Sequence, residues 1–399
     1  MSNYCIICEY NPLHNGHVYL IERAKALGAT TVTCIMSGNA TQRGELAVTD
    51  KYLRAEAAIK SGADLVLELP FPWSCASAEF FGLAGVSIAQ AVGDKLIFGS
   101  ECGDTQFLES AASFCETDDF KQRYESCTRG GIGSASAYIK CLSEGGFGEI
   151  SSNDLLGISY IRAIKRLGLS LEPVAEKRIG AGYNCEQTVD GAYQSATALR
   201  RYIERCEIDE MAEYIPSPML EILKREYAEG RLTDINEISD AILCFYRLAS
   251  PENLERISDM GGGLSNRFIS IAKKSISAER MMDGIRTKRY TDAKLRRAML
   301  FGLTGTSDDV IRSLPEYTLV LGADENGRKL ISEGRKREGL RLITKPADAP
   351  KDSAQFILSE KLDSIFGLAR RQKYASDEFI RKKAYVQKYE KSRGLCKKV

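Results

Sequence analysis

Five short apolar runs, at residues 4–9, 31–36, 64–69, 95–99 and 172–178, punctuate the first half of this 399-residue chain, and segments of helical period fill the intervals between them. A chain that alternates in this way must cover both faces of each strand, and a parallel sheet with helices packed on either side does so. The runs show little polar alternation, as strands buried on both faces require. Helices are predicted over 16–27, 50–61, 78–92, 105–115, 120–128, 134–143 and 153–167. The expected fold class is α/β, with a doubly wound, Rossmann-like parallel sheet in residues 1–190.

Past that point the pattern becomes mainly helical, with helices predicted over 196–205, 219–229, 235–248, 254–258, 266–274, 278–285 and 292–302. A strand at 317–322, a turn at Asp324-Glu325-Asn326-Gly327, a short strand at 340–344 and a charged terminal helix over 377–393 complete the reading. Two domains follow, 1–190 and 191–399. Charge divides along the same line: 16 Lys and Arg face 23 Asp and Glu in the first part, and 39 face 31 in the second. A basic half on a near-neutral chain suits a polyanionic partner. No stretch approaches the ~20 apolar residues that span a bilayer. No basic segment with a small-residue cleavage site follows Met1. Twelve scattered cysteines suit a reducing compartment, so a cytoplasmic protein without a membrane is expected. Cys5 and Cys8 form a C-x-x-C, but side chains three apart on a strand point to opposite faces and cannot share a metal ion. No metal cage and no protein partner are read from the sequence.

Both histidines of the chain fall in His14-Asn15-Gly16-His17, directly after the first strand and at the start of a helix. Imidazoles at a helix N-terminus are donors placed where phosphate oxygens bind. Donors fixed on non-bridging oxygens stabilise the charge that builds there during displacement. Gly16 is read as the position that lets backbone approach a bulky ligand. There is no G-x-x-x-x-G-K-[ST] loop, which argues against γ-phosphoryl transfer of the P-loop kind.

The run Cys8-Glu9-Tyr10-Asn11-Pro12-Leu13-His14-Asn15-Gly16-His17 resembles the opening of the HIGH-type nucleotidyltransferases. Met36-Ser37-Gly38-Asn39, Gln42-Arg43-Gly44-Glu45, Phe98-Gly99-Ser100-Glu101, Lys177-Arg178-Ile179-Gly180, Ser195-Ala196-Thr197 and Thr287-Lys288-Arg289-Tyr290-Thr291 extend the likeness across both halves. Together they resemble one family, the bacterial tRNA(Met) cytidine acetate ligases. The resemblance implies an enzyme that makes acetyl-adenylate from ATP and acetate, releases pyrophosphate, and acetylates N4 of the wobble cytidine of elongator tRNA(Met). It implies His14 and His17 as catalytic residues. It further implies ATP contacts from the segment 7–20, among them Ile7, Glu9, Asn11, Gly16 and Leu20, and from Gly99, Asn153 and Arg178. Magnesium is expected on the phosphates themselves.

Each of these residue types suits its place. Gly99 ends the fourth strand, at the carboxyl edge where open α/β sheets bind ligands. Asn153 starts a helix, where it caps or offers its amide to nucleotide. The fork of Arg178 suits phosphate oxygens, with a surface ion pair as the alternative. Glu9 orients an imidazole or a metal-bound phosphate, or is simply solvated. Gln42, Arg43 and Lys51 meet acetate or pyrophosphate, or are solvated loop charges.

In the second half, Arg286, Lys288, Arg289, Lys294, Arg296 and Arg297 interleave with Tyr290, a pattern suited to phosphate contact and base stacking. Further basic residues cluster at 335–337 and over 370–399. These are read as tRNA contacts. Two rival readings use the same residues: a small-molecule nucleotidyltransferase, and a non-catalytic RNA-binding protein that keeps a nucleotide fold.

Overall fold

A computed structural model describes residues 2–178, 193–336 and 339–387. Eight strands form its sheet: β1 Asn3–Cys8, β2 Thr31–Ser37, β3 Leu65–Leu69, β4 Lys95–Ser100, β5 Glu172–Lys177, β6 Tyr317–Ala323, β7 Arg341–Ile343 and β8 Tyr385–Val386. The order is β5-β4-β1-β2-β3-β6-β7, with β8 beside β6. The first five strands are mutually parallel, and β1 runs opposite β2 residue for residue from Asn3↔Thr31 to Cys8↔Met36.

Helices cover both faces. On one face α1 (Asn15–Ala26) and α2 (Lys51–Lys60) bury Ile21, Ala24, Ala55 and Ile59 against Ile6, Cys8, Val32 and Met36. On the other, α3 (Ala78–Gln90) and the helix Ser152–Arg166 bury Phe81, Val86, Ile158 and Ile161 against Cys5, Ile7, Ile35 and Leu67. Cys5 and Cys8 thus fall into different cores, as strand alternation requires.

The chain runs β1, β2, β3 outward, then returns to place β4 on the other side of β1. That reversal is a topological switch point. The carboxyl ends of β1 and β4 diverge there, and the crevice between them is where open α/β sheets bind ligands.

The sheet does not end where the sequence pattern changes. β6 pairs antiparallel with β3, and β7 and β8 pair with β6, so the second half of the chain completes the sheet of the first. The expected boundary between 190 and 191 falls in residues 179–192, outside the described residues. The second half also has a helical core of its own, in which Ile242, Phe268, Met281 and Leu295 pack together.

Three further expectations change. Asp324-Glu325-Asn326-Gly327 is not a turn but the start of the helix Glu325–Gly334. The Asp324 carboxylate accepts from Gly327 N at 2.8 Å as its N-cap, and the helix crosses over to a parallel β7. The terminal helix predicted over 377–393 is limited to Glu378–Arg381 before β8, and residues 388–399 lie outside the described residues. The helix Ala354–Leu368 was not predicted; it buries Phe356, Ser359, Leu362, Asp363 and Phe366, and the polar members of that stripe hide its apolar period.

Candidate active site

The crevice at the switch point is lined by Ile7, Glu9, Asn11, His14, Gly16, His17, Leu20, Gly99, Asn153 and Arg178 together. Strand ends and helix starts remote in sequence bring all ten to one place. Gln42 and Arg43 line it as well.

His14 is the N-cap of α1, and its Nδ1 accepts from Gly16 N at 3.1 Å. The Nδ1 of His17 accepts in turn from His14 N at 3.3 Å. Each Nδ1 is therefore an acceptor, and each ring carries its proton on Nε2. The two rings stack with centroids 3.6 Å apart, and the Tyr10 ring tilts against His17 at 4.8 Å. Tyr10 itself adopts a left-handed backbone, φ +48°. Non-glycine residues sit there at a cost, and such positions gather at functional sites.

The first turn of α1 has no backbone donor left over for a ligand. Asn15 N donates to the Tyr214 carbonyl at 2.9 Å, Gly16 N to His14, and His17 N and Val18 N to the His14 carbonyl. The donors at this helix end are the imidazole Nε2–H groups. Gly16 also makes room for the capping imidazole, since a Cβ there would lie 3.0 Å from His14 Cε1.

Burial, and then the nearby Arg178 charge, holds the His14 imidazole down at about 3; burial, His14 and Arg178 push His17 down as well. Both rings are neutral donors at pH 7. In the unfolded chain a histidine takes up a proton near ~6.5, which the folded rings refuse until much lower pH. Below ~6.5 the unfolded state binds more protons, so stability is fully present above that pH and is lost as pH falls towards the folded value. We expect urea stability to decline between pH 6.5 and 5, and His14→Gln to flatten that decline.

Other donors converge on the same space. Asn11 is buried; its Oδ1 accepts from Val48 N at 2.7 Å, and its Nδ2 has no hydrogen-bond partner among the described residues. A buried donor left unpaired is costly unless something completes it. Arg178 lies along Gly99, where a Cβ would meet its Cγ at 3.1 Å, and its Nε is 3.8 Å from Glu101. Asn153 does not cap its helix. Ser151 does, and the Asn153 amide donates to Glu101 Oε1 at 2.6 Å. Glu9 accepts from Gln42 N at 2.7 Å, so it anchors the loop that carries Gln42 and Arg43. Burial raises its carboxyl above the usual range.

One wall is apolar, formed by Phe81, Phe98, Leu156 and Tyr160. Phe98 and Tyr160 meet edge to face at 5.7 Å. The lining thus pairs a cationic, donor-rich side with an aromatic one, which suits a nucleotide triphosphate.

Several participants have no motif that announces them. Arg200 lines the crevice, binds Glu45 at 3.0 Å and donates to the Asn11 carbonyl at 3.1 Å. Arg54 is fully buried and donates to the Glu9 and Ser37 carbonyls at 2.6 and 3.1 Å, so one guanidinium ties the ends of β1 and β2 together. Lys51 does not reach the crevice; it is buried between Glu68 and Asp363.

The basic segment of the second half divides in two. Arg297 is largely buried and pairs with Asp259 at 2.9 Å. Arg296 pairs with Glu45 at 3.3 Å and donates to the Arg43 carbonyl at 3.1 Å. Gly44 packs so closely here that a Cβ would lie 2.4 Å from Arg297 N. Arg296 docks the helical core onto the crevice loop, whereas the Arg297 side chain braces that core from within, on Asp259. Arg286 is held by Asp283 and Asp292, and Lys294 approaches Asp259 at 3.5 Å. Lys288 and Arg289 are exposed, and the Arg289 and Lys294 cations lie 5.3 Å from the Tyr290 ring centre.

Fold and crevice together define a nucleotidyl transferase of the HIGH type: the family model for HIGH Nucleotidyl Transferase matches residues 1–379. The tRNA(Met) cytidine acetate ligase of Caldicellulosiruptor bescii is 36% identical over 350 residues, covering 85% of this chain and 86% of that one. That of Acetivibrio thermocellus is 33% identical over 90% of this chain and 91% of its own length. The crystal structure of Thermotoga maritima TmcAL bound with alpha-thio ATP superposes with a TM-score of 0.87 at 28% identity, covering 97% of this chain and 99% of that one. The chain belongs to the tRNA(Met) cytidine acetate ligase family, within the HIGH nucleotidyl transferases.

Proposed function

We propose that this chain is an ATP-dependent ligase that activates acetate as acetyl-adenylate and transfers the acetyl group to N4 of the wobble cytidine of elongator tRNA(Met). The observation that carries the reading is the stacked pair His14 and His17, whose Nδ1 atoms are tied to backbone N–H groups and whose Nε2–H groups are left to donate.

In the first step an acetate oxygen attacks the α-phosphorus of ATP. The new P–O bond forms as the bond to the bridging oxygen of pyrophosphate breaks. The imidazoles hold the non-bridging oxygens, where charge accumulates, and reorganise little because the protein has already fixed them. Asn11 Nδ2 and Arg178 add donors on the same side, and the aromatic wall takes the base. In the second step the cytidine amine attacks the acetyl carbonyl, loses a proton, and AMP leaves. Acetyl-adenylate is already activated, so positioning does most of the work and no covalent enzyme intermediate is needed. Magnesium is assigned to the phosphates of the nucleotide, where it neutralises charge. Among the described residues no group of three or more His, Cys, Asp or Glu side chains is arranged to hold a metal.

The test is mass spectrometry of tRNA nucleosides after incubation with the protein, ATP and labelled acetate. Label is expected in N4-acetylcytidine, and only with ATP present. Pyrophosphate release without label in tRNA returns the small-molecule transferase reading. No pyrophosphate release at all returns the RNA-binding one.

The tRNA contacts divide as the ion pairs do. Lys288→Ala and Arg289→Ala are each expected to flatten the slope of log affinity against log salt by about 1, the loss of one phosphate contact. Arg297→Ala is expected instead to lower Tm, because it removes a largely buried guanidinium and its 2.9 Å ion pair with Asp259.

Among the described residues no helix is long and apolar enough to cross a membrane.

A further inference from the structure

A second pocket lies apart from the crevice and shares no lining residue with it. It opens between the start of α2, the helix Ser217–Ala228 and the segment that follows the helix Ala354–Leu368. Six cations line it, Arg225, Arg231, Arg370, Lys373, Lys382 and Lys383, against the carboxylates of Asp50, Glu226 and Glu378.

Four of these cations already have carboxylate partners. Arg225 and Arg231 bind Glu226, Lys382 binds Asp50, and Lys373 reaches Glu237 at 3.4 Å. Arg370 differs. It is 3% exposed, and its Nε and Nη2 are buried with no hydrogen-bond partner among the described residues. Its guanidinium is held between the rings of Phe366 and Tyr374, at 4.5 and 5.0 Å from their centres. Its backbone is fixed by a bridge to Thr233. A third orphan lies in the same wall: the buried hydroxyl of Tyr52 also has no hydrogen-bond partner among the described residues.

A guanidinium buried without acceptors is among the more expensive arrangements a protein can keep. Nε and Nη2 are the two donors of one guanidinium edge, side by side, the geometry that grips two oxygens of one anion. Stacking between two rings holds that edge in place. The Tyr52 hydroxyl offers a third hydrogen bond, and cations outnumber carboxylates in the lining. A carboxylate has two oxygens to give; a phosphate has enough for all three donors.

We infer that the pocket around Arg370 is a second anion site, built to take a phosphate group. The same chemistry is supplied by free phosphate and by the RNA backbone, and the test separates them. Thermal unfolding of the full chain is measured with the crevice saturated by a nonhydrolysable ATP analogue, while inorganic phosphate replaces chloride at fixed ionic strength. Wild type is expected to gain about 2 °C at ten times the dissociation constant. Arg370→Met should lose that gain. Tyr52→Phe, which conserves volume and keeps the test open if the first variant folds poorly, should weaken phosphate binding about five-fold. tRNA binding is then measured against salt. If Arg370→Met flattens the slope by about 1, the phosphate belongs to the RNA backbone; an unchanged slope with the thermal gain lost assigns a free phosphate or small phosphate ester. No thermal gain in wild type, or an equal gain in both variants, overturns the site. The RNA arm rests on the reading of this chain as a tRNA-modifying ligase; the phosphate arm stands without it, so the two fail separately.

Discussion

Replacing His17 with alanine is expected to slow acetate-dependent ATP–pyrophosphate exchange by about 10²–10³-fold, the cost of removing one fixed donor from a developing oxyanion. Most of the loss should appear in kcat rather than in KM for ATP, because non-bridging oxygens gain charge only as the α-phosphorus is attacked. The structure adds a signature that distinguishes this role from simple charge attraction. His17 is neutral in the folded chain, held down by burial and by His14 and Arg178, and it donates from Nε2. A neutral donor gives a kcat that stays level from about pH 6.5 to 8, whereas an imidazolium would lose rate as it deprotonates across that range. Alanine also removes the acceptor for His14 N, so Tm must be followed alongside. A helix-terminal hydrogen bond of this kind is worth about 1 kcal/mol, too little to unfold the chain. Exchange at the wild-type rate, or a loss confined to KM, would remove this imidazole from the chemistry.

The crevice was legible in the sequence because its residues sit at places the α/β pattern fixes. Strand ends and helix starts follow from apolar period and turn chemistry, and a switch point gathers the ends of β1 and β4 in any sheet of this order. That is why Asn11, Gly99 and Arg178 meet although 88 and 79 residues separate successive members. What did not show was the set of contacts made by long side chains across the fold. Arg200 lines the same crevice, yet nothing local marks it, since its partners Glu45 and Asn11 lie in other segments. Arg296 and Arg297 read as tRNA contacts because a sequence does not show that Glu45 and Asp259 lie opposite. Asp324 through Gly327 read as a turn because the same residues cap helices and close hairpins; the deciding fact, a parallel β7, is a matter of topology.

Lys51 gives the clearest case of a charge whose meaning depends on burial. It stands at the first position of α2, where the sequence offers it to acetate or pyrophosphate. In the fold its Nζ lies 2.8 Å from Glu68 Oε1 on β3 and 3.1 Å from Asp363 Oδ2 on the helix Ala354–Leu368, with all three side chains buried. Asn39 completes the arrangement, donating to Asp363 at 2.6 Å and accepting from Lys51 N at 2.9 Å. Burial opposes the charge of Lys51, but Asp363 and Glu68 outweigh it and hold the ammonium protonated. Lys51→Met should therefore leave two carboxylates buried without their cation, at a cost of about 3–5 kcal/mol. The unfolding midpoint should fall by about 5 °C for a chain of this size. The deficit has a predictable pH dependence. Burial already raises the Glu68 carboxyl, and removing the lysine raises it further. A carboxyl whose folded pKa lies above its unfolded one gives stability that is present at low pH and lost as pH rises through the folded value. The variant should then recover most of its loss towards pH 5, and Asp363→Asn in the same background should restore part of it at pH 7. Because Lys51 does not line the crevice, kcat per folded molecule is expected to stay near wild type, measured by pyrophosphate exchange well below the midpoint. A raised KM for acetate or pyrophosphate at unchanged Tm would place the ammonium on a substrate after all, and the buried triad would have to open to let it reach one.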